Sequence, residues 1–135
     1  MRTFLLVLVS CLIGAATAHG AAEPSKIEHP GEVALTEQDG GYVYRTFPAQ
    51  LRMYVYDKDK PGKIACGEGC INAWPPVWAP NDATPKGDWT LIDRPERGRK
   101  QWVYKGRPVY TRFHDTPTQS TGVGMDDGAW RLMEP

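Results

Sequence analysis

Leu51-Arg52-Met53-Tyr54-Val55-Tyr56-Asp57-Lys58-Asp59-Lys60-Pro61 and Arg107-Pro108-Val109-Tyr110-Thr111-Arg112-Phe113-His114-Asp115-Thr116-Pro117 lie 56 positions apart and carry Tyr, Asp and Pro at the same places. Moving outward at that spacing, Leu35 meets Leu91, and Ala73-Trp74 meets Ala129-Trp130. Trp and Tyr are infrequent residues, so agreement at one fixed offset predicts an internal duplication.

The chain between these matches reads as short strands with strong turn signals. Glu32 to Thr36 alternates in polarity, Asp39-Gly40-Gly41 turns, and Tyr42 to Phe47 is aromatic and β-branched. Pro48 stops that run, and Leu51 to Tyr56 places Tyr54 and Tyr56 on one face with Met53 and Val55 on the other. The pattern returns as a strand at 89–92, a turn at 95–98, a strand at 101–104, the tight turn Lys105-Gly106 and a strand at 108–113.

Each copy, about 31–76 and 87–133, is therefore expected to be a three-stranded meander, then a loop, then an Ala-Trp returning to the core. Three strands with one apolar face are marginal alone. The expected fold is mostly β: a small sandwich or partly closed barrel in a single two-repeat domain spanning 31–135. No stretch has a sustained helical period, although Cys70 to Trp74 could make one helical turn before Pro75 and Pro76.

Ahead of the domain, Arg2, an apolar run from Phe4 to Ile13 and small residues to Ala18 form a secretory signal over 1–18. The run is too short to span a membrane, which needs about 20 apolar residues. Cleavage is expected after Ala18, leaving His19 first, or after Ala22. Leu8-Val9-Ser10-Cys11 has the spacing of a lipid-attachment site, but it leaves a very short apolar stretch, so membrane attachment is expected only if Cys11 is lipidated. Residues 19–30 read as an irregular leader. The precursor has a formal net charge of zero with both signs interspersed, which points to neither nucleic acid nor an anionic membrane as partner.

Tyr54 to Asp59 resembles the Y-x-[FWY]-x-x-D signature of a family of bacterial secreted repeat proteins and predicted lipoproteins of unassigned function. Pro61-Gly62, Cys66-x-x-x-Cys70 and Ala73-Trp74-Pro75-Pro76 are similar to that family's first repeat. Gln101-Trp102 through Tyr110, Asp115, Gly122-x-Gly124 and Gly128-Ala129-Trp130 are similar to its second. The resemblance spans the chain from about Gly31 and implies architecture and an exported address without an activity. The motif residues it marks are Tyr54, Tyr56, Asp59, Trp74, Tyr110, Asp115 and Trp130. Arg112 departs from the signature where its aromatic belongs, which predicts a bulge or an altered face there.

Cys66 and Cys70 are the two cysteines left after export, and an oxidising compartment predicts a structural disulfide between them. A redox couple is the alternative, but Glu68 between them and the absence of a flanking cation oppose a reactive thiolate. Asp57-x-Asp59-x-x-Gly62 imitates part of a calcium loop, whereas Pro61 and three lysines argue against one. His19 as a new N-terminus, with His29, His114, Met53, Met125 or Met133 as distant helpers, is the copper alternative. His114-Asp115 lacks a nucleophile in a suitable turn, and Asp126-Asp127 reads as a corner.

Residues repeated in both copies are expected to serve the fold, and function is expected where the copies differ. Trp78, between Pro75-Pro76 and Pro80, is the candidate binding aromatic, with Glu68 and Asn72 standing where the second copy has Gly124 and Gly128. The expectation is a periplasmic or cell-envelope binding or structural module, not an enzyme, with no cofactor or metal and an unidentified envelope protein or ligand as partner. The alternative is a small redox or copper-handling protein using Cys66 and Cys70 or His19.

Overall fold

The computed structural model describes residues 26–135. The signal expected over 1–18, with Cys11, His19 and the expected cleavage points, lies outside the described residues. Among the described residues eight strands follow in order: β1 (Val33–Gln38), β2 (Gly41–Thr46), β3 (Tyr54–Tyr56), β4 (Trp78–Ala79), β5 (Trp89–Arg94), β6 (Arg99–Tyr104), β7 (Arg107–Pro108) and β8 (Trp130–Leu132). All pairings between them are antiparallel. Among the described residues no helix is long and apolar enough to cross a membrane.

The fold is mostly β, built from several small antiparallel sheets with no closed barrel. β1 pairs β2, β3 pairs β8, and β4-β6-β5 forms a further sheet with β7 joined to β6. The second half makes a meander, β5-β6-β7, but its third strand, expected over 108–113, is shortened to β7 with isolated bridges at Tyr110 beyond it. In the first half the third strand is reduced to one bridge, Arg45 to Arg52. The turns explain the difference. Lys105-Gly106 has positive φ at both positions, as a tight two-residue hairpin requires. The corresponding connection, 47–51, is longer, begins with Phe47-Pro48 and holds Gln50 at φ 59°, so the chain leaves the sheet.

β5 begins 56 positions after β1, and β6 begins 58 after β2 because Pro95–Arg97 forms a 3-10 turn closed by Gly98 where β1 and β2 are joined by Asp39-Gly40 alone. The offset is again 56 by Arg52 and Pro108, whose bridges to Arg45 and Val103 correspond. Cys70 to Trp74 forms hydrogen-bonded turns, with the Ala73 and Trp74 N–H groups both donating to the Cys70 carbonyl.

Two apolar clusters hold the strands together. One gathers Val33, Tyr44, Met53, Trp89, Trp102 and Val109 with their neighbours. The other gathers Tyr54, Cys66, Ile71, Trp74, Tyr110 and Trp130. Both Ala-Trp segments return to the core, and each does so across the halves: β8 pairs β3, and the chain after Trp74 pairs with Val109 and Tyr110. A three-stranded half cannot cover its aromatic face alone, and exchanging the closing segments covers both faces at once.

Candidate functional site

The motif residues meet where the two halves cross, and their contacts come in reciprocal pairs. Tyr54 N–H donates to the Tyr110 carbonyl at 2.8 Å, and Tyr110 N–H donates to the Tyr54 carbonyl at 2.9 Å. The side chains repeat the exchange: Tyr54 Oη donates to Asp115 at 2.6 Å and Tyr110 Oη donates to Asp59 at 2.7 Å. Asp57 N–H reaches the Ala129 carbonyl, as Phe113 N–H reaches that of Ala73.

Each aspartate also organises its own loop. Asp59 Oδ1 accepts the N–H groups of Ala65 and Cys66 at 2.7 and 3.3 Å. Asp115 Oδ1 accepts the N–H and hydroxyl of Thr121 at 2.8 and 2.7 Å. Each carboxylate thus uses both oxygens on protein donors. Asp57 is also engaged, by Arg131 through both its oxygens and by Arg107, and those bonds hold its pKa far below the ordinary carboxylate value. The calcium-like spacing of Asp57 and Asp59 therefore serves hydrogen bonds and ion pairs.

Between the latches lies an aromatic column. Trp74 and Trp130 stack with centroids 3.6 Å apart and planes 1° from parallel. Each is met edge-on by a motif tyrosine, Trp74 by Tyr54 at 5.1 Å and Trp130 by Tyr110 at 5.2 Å. Tyr56 stacks on Trp130 at 4.2 Å. Where symmetry calls for a second such ring, the Arg112 guanidinium lies 4.8 Å over Trp74 and its Nη1 donates to the Ala73 carbonyl. Arg112 thus replaces the missing aromatic by cation–π stacking. Gly122 is required beside it: a Cβ there would come within 2.3 Å of the Trp74 ring.

The phenols are held neutral. Burial, then the Asp59 charge and hydrogen bond, push the Tyr110 pKa well up. Burial and the hydrogen bond to Asp115 raise that of Tyr54. The hydrogen bond to Asp126 raises that of Tyr56, while Lys58 and Tyr56 lower that of Asp126. Phenols bound to carboxylates in this way are poor proton donors at neutral pH, so the arrangement is suited to holding two halves together.

Cys66 and Cys70 form a disulfide. Cys66 is fully buried and its carbonyl accepts Arg94 Nη2 at 2.6 Å. Arg94, 2 % exposed, also donates to Gln101 and pairs with Glu96. On the opposite side, Arg45 Nη1 donates to the Pro117 carbonyl at 2.9 Å. These two loop-anchoring arginines escape sequence reasoning because neither is repeated: position 38, which corresponds to Arg94, is Gln, and position 103, which corresponds to Arg45, is Val.

Trp78, Glu68 and Asn72 stand outside the column. Trp78 is half-buried in β4, opposite Gln101, with the Arg99 guanidinium 4.6 Å over its ring. Asn72 is exposed and accepts Arg97 Nη2 at 3.4 Å, and Glu68 is exposed. Of the copper candidates, Met53 and Met133 are buried, Met125 is exposed, His29 packs against Tyr44, and His114 lies on the surface beside Phe113.

No curated protein and no solved structure matches the chain. Residues 91–133, which contain Tyr110, Asp115 and Trp130, match the model of a family described as a secreted repeat of unknown function.

Proposed function

We propose that this exported protein is a non-enzymatic binding or structural module of the periplasm or cell envelope, released by signal cleavage after Ala18 or Ala22. The observation that carries the reading is the reciprocal use of the motif: Tyr54 with Asp115 and Tyr110 with Asp59 bind one half to the other, and Trp74 with Trp130 fills the space between. The signature is consumed by the fold, which leaves recognition to positions where the halves differ. Trp78, Asn72 and Glu68 are such positions, and the first two lie against Arg99 and Arg97.

The test separates the two groups. Trp74→Ala and Trp130→Ala are each expected to destabilise by about 3–5 kcal/mol, as buried aromatic truncations do. Trp78→Ala, Glu68→Ala and Asn72→Ala are expected to keep the wild-type melt and to lose envelope partners in affinity capture read by mass spectrometry. A catalytic turnover abolished by Tyr54→Phe or Tyr110→Phe without loss of stability would sink the reading. So would a Trp78 variant that cannot fold.

A further inference from the structure

A cavity of about 460 Å3 opens away from the aromatic column, where segments outside the matched repeat positions come together. Its walls include Glu28 from the leader, Asp88 from the connection before β5, Tyr44 of β2, Tyr104 of β6 and Lys105 of the following turn. Lys26 also lines it.

Three features of this cavity concern positive charge. The Lys105 ammonium lies 5.1 Å from the Tyr104 ring centroid, so the chain's own cation occupies an aromatic face at the cavity wall. Glu28 and Asp88 are exposed, and among the described residues neither carboxylate takes part in a side-chain hydrogen bond or ion pair. Tyr44, 3 % exposed, packs edge-on against Tyr104 at 5.3 Å. Burial, then Tyr104 and Asp88, keep its hydroxyl protonated and able to hydrogen-bond.

We propose that this cavity binds a small organic ammonium ion, which displaces the Lys105 ammonium from Tyr104 and pairs with Glu28 and Asp88. The volume exceeds that of a single metal ion and suits a small molecule. An aromatic face favours weakly hydrated cations, whose desolvation costs little, over strongly hydrated ones. Lys105 opposes the ligand as an internal competitor, so affinity is modest. The proposal rests on the reading of the protein as a binding module and names a ligand class for it.

The experiment is a titration of the full mature protein with tetramethylammonium chloride, and separately with ethanolammonium chloride, followed by amide NMR shifts against sodium chloride at equal ionic strength. Saturable shifts at Gly87, Asp88 and Lys105 are expected. Lys105→Ala should bind about threefold tighter, because the competitor is gone. Glu28→Gln and Asp88→Asn should each bind several-fold weaker, with melts unchanged because both residues are exposed. The proposal is overturned if neither salt gives a saturable response up to about 0.1 M, some hundredfold above a weak ~1 mM site. It is equally overturned if Lys105→Ala weakens binding or both carboxylate variants bind as the wild type does. Failure here leaves the Trp78 variants to judge the module reading independently.

Discussion

Replacing Tyr110 with Phe keeps the ring and removes one hydroxyl, the one that Asp59 accepts at 2.7 Å. Tyr110 is fully buried and Asp59 is 7 % exposed, so water cannot readily take the vacated place. A hydrogen bond to a charged group contributes about 1.5–3 kcal/mol, and burial puts this one at about 2–3 kcal/mol. Tyr54→Phe removes the reciprocal bond and also the acceptor of the Gly122 N–H at 3.2 Å, at a fully buried position, while Asp115 is half-buried and keeps two donors from Thr121. Water can replace the hydroxyl at Asp115 but not at the buried Gly122 N–H, so about 2–3 kcal/mol is expected here too. At about 4–8 °C per kcal/mol for a domain of about 100 residues, Tyr110→Phe and Tyr54→Phe should each melt at least 8 °C below the wild type.

Alkaline pH provides a second arm of the same experiment. The pKa of Tyr110 is raised on folding, so its contribution is complete below the unfolded value near 10 and is lost as pH rises above it. Each such tyrosine gives a slope of about 1.4 kcal/mol per pH unit until its folded pKa is reached. Denaturant unfolding followed from pH 7 to 11 should therefore show a shallower alkaline decline in Tyr110→Phe. The latch argument fails if either Tyr110→Phe or Tyr54→Phe melts with the wild type.

Replacing Cys66 and Cys70 together with Ala opens a five-residue loop and should cost about 2 kcal/mol by the chain-entropy estimate, with the fold retained in circular dichroism. Full stability combined with loss of a thiol–disulfide exchange activity would instead assign the pair a redox role. Asp57→Asn should cost about 1 kcal/mol at pH 7, since its side chain is 40 % exposed and its pairs with Arg107 and Arg131 are screened. The pKa of Asp57 is lowered on folding, so the stabilisation is present above the unfolded value near 4 and fades as pH falls below it. A gap between variant and wild type in urea melts that persists undiminished at pH 2 would rule out the charge as its cause.

The candidate site was legible in outline because its residues are rare and repeated. Tyr54, Tyr110, Asp59, Asp115, Trp74 and Trp130 announce themselves at one spacing, and all six lie in or against the same column. Arg112 was visible as a departure, but its role was not, because whether a guanidinium can replace a ring depends on the distance to Trp74. Arg94 and Arg45 were invisible for a different reason: they anchor carbonyls of Cys66 and Pro117, and backbone acceptors carry no residue code. The cavity beside Tyr44 and Tyr104 draws on the leader, the connection before β5 and a turn, pieces with no shared pattern.

Alternation of polar and apolar residues, paired turn signals and the 56-residue echo are local or one-dimensional, so the amino-acid order by itself determined that the chain is mostly β, that its strands fall near those positions and that the motif recurs. Which half each closing strand joins is not a local property. Both Ala-Trp segments carry the same apolar signal and fit either partner's pattern equally well. Only the tertiary structure decided that β8 lies on β3 and that the chain after Trp74 lies on Tyr110. The physical reason is that each half alone leaves an aromatic face in water, and the exchange buries both faces in one stack.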